Sequence, residues 1–135
     1  MSNKIINVEI PVYNRDDVFN KCFLKGLKYL TPLKDYIDIS ILYNGPNITD
    51  DFIAHSNETI QKLGFELFYD RLPLGELEND IVQIRDRVHG ISKRDYDLVL
   101  QLDDDIEFLS EDYSNILRAA ARKMLENPKI GVICF

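Results

Sequence analysis

The sequence predicts an α/β fold in which helices cover both faces of a mainly parallel central sheet. Runs rich in β-branched residues alternate with longer amphipathic runs along the chain, in the order β-α-β-α-β-α-β-α-β. Turn and capping residues separate these runs, and 135 residues suffice for one hydrophobic core. Because crossovers between parallel strands are right-handed, helices fall on both faces of the sheet. We therefore expect residues 1–135 to form a single three-layer α/β/α sandwich.

The strands are the short β-rich runs. Residues 5–12 (IINVEIPV) form the first strand, which ends at the polar turn YNRDD. The other four strands are predicted over residues 37–43, 65–69, 96–102 and 130–135. Ligands of such sheets bind beyond the carboxyl ends of the strands, so the loops that follow each strand are where we expect a site.

Four helices are predicted from apolar residues at helical spacing. Asn14 is expected to cap the first helix and Thr31-Pro32 to end it, while Thr49 caps the second and Gly64 ends it. The third and fourth helices, the latter beginning near Ser110, each carry an apolar stripe. The two stripes comprise Leu77, Ile81, Ile84, Val88 and Ile91 in the third helix, and Ile116, Leu117, Ala120, Met124 and Leu125 in the fourth.

Composition limits the partners and the compartment. The formal net charge of −7 argues against broad electrostatic binding to nucleic acid or to an anionic membrane surface. The first ten residues, MSNKIINVEI, lack the apolar core of a signal peptide, and no apolar run reaches the length of a membrane span. We therefore expect a cytoplasmic protein without a nucleic-acid partner.

Three consecutive aspartates follow the fourth predicted strand, in the run LQLDDDIEF. Asp103 and Asp105 are two residues apart, so in extended backbone they project to the same side. Two convergent carboxylates suit a hard divalent cation such as Mg²⁺, which usually takes one or two carboxylates and completes its shell with substrate phosphates. The other interpretation is a solvated turn at the start of a helix. The position directly after an apolar strand favours the cation site.

Two further groups are candidates for the same edge of the sheet. Residues 13–15 (YNR) form either a simple strand-to-helix turn or a rim for a base or ribose. Arg85 is either a surface arginine paired with Asp86 or Glu78, or a phosphate contact, since a guanidinium suits a diphosphate. His89 has no nucleophile to pair with, so we expect it to be structural or to face solvent.

The ordered set of motifs resembles the nucleotide-binding half of a GT-A fold glycosyltransferase, closest to the large inverting family 2. The run VEIPVYNR is similar to that family's first strand and sugar-nucleotide loop. QIRDR stands where such enzymes commonly carry an Ala-Arg-Asn triplet, and LVLQLDDDIEF resembles their metal-binding DxD strand. ENPKIGVICF resembles the helix-to-strand passage that follows. The similarity spans nearly the whole chain.

The resemblance implies a transferase that uses a nucleotide-diphosphate sugar together with a divalent cation, Mn²⁺ or Mg²⁺. It implies that Asp105, with Asp103, holds the cation and that Asp103 or Asp104 contacts the ribose region. Arg85 is then expected near the base or the diphosphate. The implied nucleotide-binding residues are Pro11, Val12, Tyr13, Asn14, Arg15, Asn44, Arg85, Asp103 and Asp104.

The chain departs from the family pattern at two points. The family often ends its second strand with an aspartate that reads the base, whereas Tyr43 is followed here by Asn44-Gly45, which leaves the base open. The chain also stops at Phe135, soon after the DxD run. We therefore expect the acceptor-binding half and its general base to be absent, and no residue is assigned the catalytic role. The acceptor is not identified, and an open sheet edge is compatible with a homodimer.

Three other functions remain open. A module that binds a nucleotide sugar without transferring it is favoured by the expected lack of an acceptor half. A sugar nucleotidyltransferase usually carries a glycine-rich loop after its first strand, and YNRDD contains no glycine. A haloacid-dehalogenase-like phosphatase places its DxD on the first strand rather than the fourth. No P-loop, GxGxxG or GxSxG motif occurs, which argues against those nucleotide-binding and hydrolase classes.

Overall fold

The computed structural model describes residues 4–73 and 80–134. A four-stranded, fully parallel sheet forms its centre, in the order β3-β2-β1-β4. The strands are β1 (Ile6–Tyr13), β2 (Ile37–Asn44), β3 (Glu66–Arg71) and β4 (Leu98–Gln101). Helices pack on both faces of the sheet, so the predicted α/β/α sandwich is confirmed.

Four α-helices accompany the strands. They are α1 (Asp16–Phe19), α2 (Asp50–Lys62), α3 (Ile81–His89) and α4 (Asp112–Glu126). A π-helical turn (Asn20–Leu24) and a 3-10 helix (Leu27–Leu33) follow α1. Within the described ranges, no helix combines the length and the apolar character needed to cross a membrane.

The two faces of the sheet differ in chemistry. On one face the alternate side chains of β1 and β2 are apolar and buried, and they pack with the α1 region, α2 and α4 into the main core. The apolar positions are Ile6, Val8, Ile10, Val12, Ile37, Ile39, Ile41 and Tyr43. On the other face, α3 covers a small apolar cluster and four fully buried polar side chains. The buried polar residues are Asn7, Glu9, Asp38 and Ser40.

Three of these four buried polar residues, Asn7, Glu9 and Ser40, are linked by hydrogen bonds, whereas Asp38 is held by Arg94 and Tyr96. Asn7 Nδ2 donates to Glu9 Oε2 at 3.0 Å, and Ser40 Oγ donates to Asn7 Oδ1 at 2.8 Å. His89 Nδ1 lies 2.7 Å from the same Glu9 oxygen, which joins the end of α3 to the sheet. Because a buried carboxylate needs such partners, His89 has the structural role that the sequence predicts.

The first helical region differs from the single helix that the sequence predicts. Asn14 does not cap it, because its backbone is left-handed (φ 58°) and Arg15 occupies the N-cap position without a side-chain cap bond. Pro32 does not end it either, since the 3-10 segment continues through Pro32 to Leu33. The region also passes very close to the loop after β4. A Cβ added at Gly26 would lie 2.3 Å from the backbone oxygen of Phe108.

The caps predicted for the second helix are confirmed. The backbone N–H of Phe52 donates to Thr49 Oγ1 at 3.1 Å, and Gly64 ends the helix with φ +95°. For the fourth helix, Ser110 Oγ accepts the N–H of Asp112 at 3.3 Å, but Glu111 rather than Ser110 is the N-cap.

Several predicted apolar surfaces are less buried than expected. Ile81 in α3 is 72% exposed, and Ile116 and Leu125 in α4 are nearly half exposed, because each helix packs through a narrower stripe than its sequence offers. Leu77 lies outside the described residues. The fifth predicted strand is wrong, since residues 130–134 form no strand and Val132 is 77% exposed. A β-branched run becomes a strand only where another strand pairs with it.

Candidate functional site

The site lies where β1 and β4 separate at the carboxyl edge of the sheet. β1 pairs with β2 along all of its length, from Ile6 to Tyr13. Its pairing with β4 ends at Glu9, which pairs with Gln101. The chain order also reverses here, since β2 and β3 lie on one side of β1 and β4 on the other. In parallel α/β sheets, ligands bind in the crevice at such a switch point.

Asp104 bridges this crevice. Its carboxylate accepts hydrogen bonds from the Arg15 guanidinium, with Arg15 Nε 3.3 Å from Oδ2 and Arg15 Nη2 in contact with Oδ1. The backbone N–H of Tyr13 also approaches Oδ2, at 3.5 Å. The hydrogen bond and charge of Asp104 raise the pKa of Arg15 above its ordinary value. The YNR turn and the aspartate run are therefore held together across 89 residues of sequence.

Asp103 is held from the other side by Arg85. Arg85 Nη2 donates to Asp103 Oδ1 at 2.8 Å, and its Nη1 donates to the carbonyl oxygen of Leu102 at 3.2 Å. Neither residue is deeply buried, with 24% of the Arg85 side chain and 68% of the Asp103 side chain exposed. Arg85 thus pairs with the aspartate run in this structure rather than with Asp86.

Asp105 is the member of the run with the loosest partner. Its side chain is 50% exposed, and its Oδ2 lies 3.9 Å from Arg15 Nη2. Asp103 and Asp105 therefore share exposure to solvent, whereas the Asp104 side chain is only 4% exposed. Among the residues that the structure describes, two arginines pair with the three aspartates, which leaves one negative charge without a partner there. Among the described residues, no group of three or more His, Cys, Asp or Glu side chains could hold a metal by itself.

The loops after β1 and β2 form a second side of the site. The backbone N–H of Asn14 donates to the Asn44 carbonyl at 3.0 Å, and Asn14 Oδ1 accepts the N–H of Asn47 at 2.8 Å. Gly45 adopts φ +107°, and a Cβ there would lie 2.4 Å from Asn14 Oδ1. Sequence reasoning named Asn14 and Asn44 but missed Gly45 and Asn47. The Asn-Gly-Pro-Asn turn signal marked the loop without indicating this contact.

Asn44 is the last residue of β2 and lies beside the turn at Asn14. It is 4% exposed, and its Nδ2 has no hydrogen-bond partner in the part of the chain that the structure describes. A buried amide donor without a partner is costly, so it is a natural contact for a ligand acceptor.

The remaining candidate residues contribute mainly backbone. Val12 is fully buried in the main core and pairs with Tyr43 of β2, so its side chain does not reach the crevice. Pro11 lies on the opposite face of β1 and is partly buried, while the Tyr13 ring is 36% exposed. The structure therefore brings all the sequence-predicted residues to one edge, but in different roles.

No protein-family model matches the chain, and no curated protein matches it.

Solved structures of S. aureus TarS are similar to this chain. TarS 1-349 aligns with a TM-score of 0.65 at 17% identity, over 92% of this chain and 33% of that chain. TarS 1-349 in complex with UDP aligns with a TM-score of 0.62, also at 17% identity, with the same coverage of both chains. A further TarS structure gives 0.63 at 17% identity, over 90% of this chain and 20% of that chain. The chain shares this fold and spans about a third of the length of TarS 1-349.

Proposed function

We propose that this chain binds a nucleotide-diphosphate sugar at the carboxyl edge of its sheet, as the donor-binding part of a metal-dependent glycosyltransferase. The crevice between β1 and β4 carries the proposal, because the YNR turn, Arg85 and the aspartate run meet there. The shared fold with a TarS structure in complex with UDP supports it. UDP is what remains of a UDP-sugar once the glycosyl group has left, so a UDP site is also a donor site.

The chain's own groups suit the parts of such a ligand. The buried Asn44 Nδ2 offers a hydrogen-bond donor, and the exposed Tyr13 ring offers a surface for a base. The half-exposed Arg15 guanidinium suits a diphosphate, which binds planar cations in a bidentate manner. Arg85, already committed to Asp103 and Leu102, would act on the diphosphate through the position of the aspartate run.

The exposed carboxylates fit a hard divalent cation. Asp105 and Asp103 offer oxygen ligands to solvent, and Mg²⁺ or Mn²⁺ is commonly held by one or two carboxylates with phosphates completing the shell. The single uncompensated charge of the site explains why a cation would bind chiefly together with a diphosphate. When bound, the cation would stabilise negative charge on the departing diphosphate.

Donor binding and glycosyl transfer are separate parts of the proposal. Binding concerns the described residues, whereas transfer also needs an acceptor site and a general base, to which no described residue is assigned. Because the chain spans about a third of TarS 1-349, transfer is proposed for the protein as a whole. A nucleotide-sugar-binding module without transfer is the second candidate. The acceptor and the homodimer both stay predictions.

Calorimetric titration with nucleoside diphosphates tests donor binding. UDP and GDP are titrated into the purified chain with Mn²⁺ and with a chelator instead. We expect one of them to bind, and removal of the metal to weaken it by about tenfold or more, equivalent to roughly 1.4 kcal/mol. Asp105→Asn should abolish the gain from Mn²⁺, whereas Asp35→Asn, at the opposite edge of the sheet, should not.

The same preparation distinguishes transfer from binding alone. Incubation with the corresponding nucleotide sugar releases free sugar or nucleoside diphosphate only if the chain supports chemistry at the donor. Donor binding without release favours the binding module. If no nucleoside diphosphate binds with or without metal, the proposed function is wrong.

A further inference from the structure

We propose that Asp104 is a positioning residue that closes the crevice between β1 and β4, and that it is not a ligand of the cation. It does so by holding the Arg15 guanidinium and the Tyr13 amide. This inference rests on the proposed function for the ligand whose site it positions.

The hydrogen bonds along β1 show that Asp104 stands where a backbone partner from β4 would otherwise be. The carbonyl oxygens of Ile5 and Glu9 accept the N–H groups of Leu98, in β4, and of Leu102, just after it, both at 3.0 Å. The backbone polar groups of odd-numbered residues along β1 therefore point towards β4. Pro11 is the next such residue, and it has no N–H to donate. Tyr13 follows, and its N–H points to Asp104 Oδ2 at 3.5 Å. A side chain thus takes the place of a strand partner after the backbone ladder has ended.

Burial separates Asp104 from its two neighbours. Its side chain is 4% exposed, against 68% for Asp103 and 50% for Asp105. Removing a carboxylate from water is costly unless it is paired and hydrogen-bonded. Both oxygens of Asp104 are engaged, Oδ1 by Arg15 Nη2 and Oδ2 by Arg15 Nε and Tyr13 N. This arrangement leaves the exposed Asp103 and Asp105 as the carboxylates that face outward.

Arg15 is oriented by the same contact. Its Nε and Nη2 bind Asp104, while its side chain remains 51% exposed. No described residue bonds to Arg15 Nη1, so this group can donate to an oxyanion, and the guanidinium does not have to be ordered when a diphosphate binds. Ordering such a flexible side chain in advance improves affinity without adding a contact.

Calorimetry on four proteins tests this role. The wild type, Asp104→Asn, Arg15→Gln and the double variant are titrated with UDP, or with GDP if that is the nucleotide that binds. We expect Asp104→Asn to weaken binding by about tenfold, both with Mn²⁺ and with chelator, so that the gain from Mn²⁺ is unchanged. We also expect the double variant to lose less affinity than the sum of the losses of the two single variants, because Asp104 acts in part through Arg15 and in part through the Tyr13 amide.

Two results would overturn the inference. If Asp104→Asn abolishes the gain from Mn²⁺, as Asp105→Asn is expected to do, Asp104 is a cation ligand. If the losses of the two single variants add in the double variant, Asp104 acts independently of Arg15.

Amide hydrogen exchange tests the bridge without any ligand. In Asp104→Asn the Tyr13 amide should exchange about tenfold faster or more, while Ile39 in the middle of the sheet keeps its protection. Arg15→Gln is measured in the same way, and unchanged protection of Ile39 shows whether that variant is folded. If the wild type binds no nucleotide, the proposed function is wrong. The exchange rate of the Tyr13 amide still tests whether Asp104 holds that amide. Unchanged Tyr13 exchange in Asp104→Asn contradicts this contact.

Discussion

Arg85 donates two hydrogen bonds to the end of β4, one to the Asp103 carboxylate at 2.8 Å and one to the Leu102 carbonyl at 3.2 Å. One guanidinium thus fixes both the backbone and the first side chain of the aspartate run. A planar fork can span two acceptors in this way, whereas the single ammonium of lysine cannot match its geometry. Arg85 therefore joins α3 to the loop that carries the proposed cation site.

Arg85→Lys tests whether nucleotide binding needs the planar shape of the guanidinium or only its positive charge. The variant keeps the positive charge but loses the fork, so we expect UDP affinity to fall by about tenfold, the loss of one charge-assisted hydrogen bond of roughly 1.5 kcal/mol. Calorimetry measures it. Arg118→Lys, on the exposed surface of α4, serves as the matched control and should bind like wild type. If Arg85→Lys also binds like wild type, the paired contact is irrelevant to the site.

Gly45→Ala should disrupt the loops after β1 and β2. Gly45 has φ +107°, which is unfavourable for alanine, and the added Cβ would lie 2.4 Å from Asn14 Oδ1. We expect a loss of about 1–3 kcal/mol in the free energy of unfolding, with weaker UDP binding. Gly131→Ala is the control, because a Cβ there meets nothing within 4 Å. Equal stability of the two variants would show that Gly45 is not constrained.

Arg94→Met should destabilise the opposite edge of the sheet. Arg94 Nη1 lies 3.1 Å from the fully buried Asp38 and 2.9 Å from Glu66. Because the Arg94 side chain is 41% exposed, breaking this ion pair costs less than breaking a fully buried one. We expect the free energy of unfolding to fall by about 2 kcal/mol at neutral pH. Chemical denaturation measures it. Lys62→Met, which breaks the exposed pair with Glu58, should leave the midpoint unchanged.

The stability difference between wild type and Arg94→Met should become smaller at low pH. The hydrogen bond from Arg94 lowers the pKa of Glu66, so their pairing contributes stability above the unfolded pKa of a glutamate. This contribution is lost as the pH falls through the lower folded pKa. The difference between wild type and Arg94→Met should therefore narrow below about pH 4. A difference that stays constant down to pH 3 would exclude the pair with Glu66 as its source.

Much of the fold could be predicted because it follows from local patterns. Alternating β-rich and amphipathic runs indicated the parallel sheet, and the same order placed the loops of β1, β2 and β4 at one edge. The irregular helices after α1 could not be predicted from apolar spacing, which does not show that Gly26 in this region lies against the backbone of Phe108. Residues 130–134 have strand composition but no strand beside them, and composition does not supply a partner.

The sequence identified the residues of the candidate site better than it indicated what each of them does. Spacing predicted that Asp103 and Asp105 share a direction in extended backbone, but residues 104–105 form a turn, and Asp103 contacts Arg85 while Asp105 lies near Arg15. Both side chains are exposed in the structure. Spacing gave no sign that Asp104 is buried, because that depends on Arg15, 89 residues earlier in the chain. Long-range ion pairs of this kind leave no periodic pattern in a sequence.

Chemical-shift mapping of the ¹⁵N-labelled chain tests the central claim most directly. UDP, or GDP if that is the nucleotide that binds, is added with Mg²⁺, which does not broaden the signals, and the backbone amide shifts are followed. The account predicts the largest changes at the carboxyl edge, in Tyr13, Asn14, Gly45 and residues 103–105, and smaller changes when Mg²⁺ is omitted. The opposite edge, at Asp38 and Arg94, should not respond. Shifts confined to the open cleft between β3 and α3, around Tyr69 and Lys93, or no shifts at all, would contradict it.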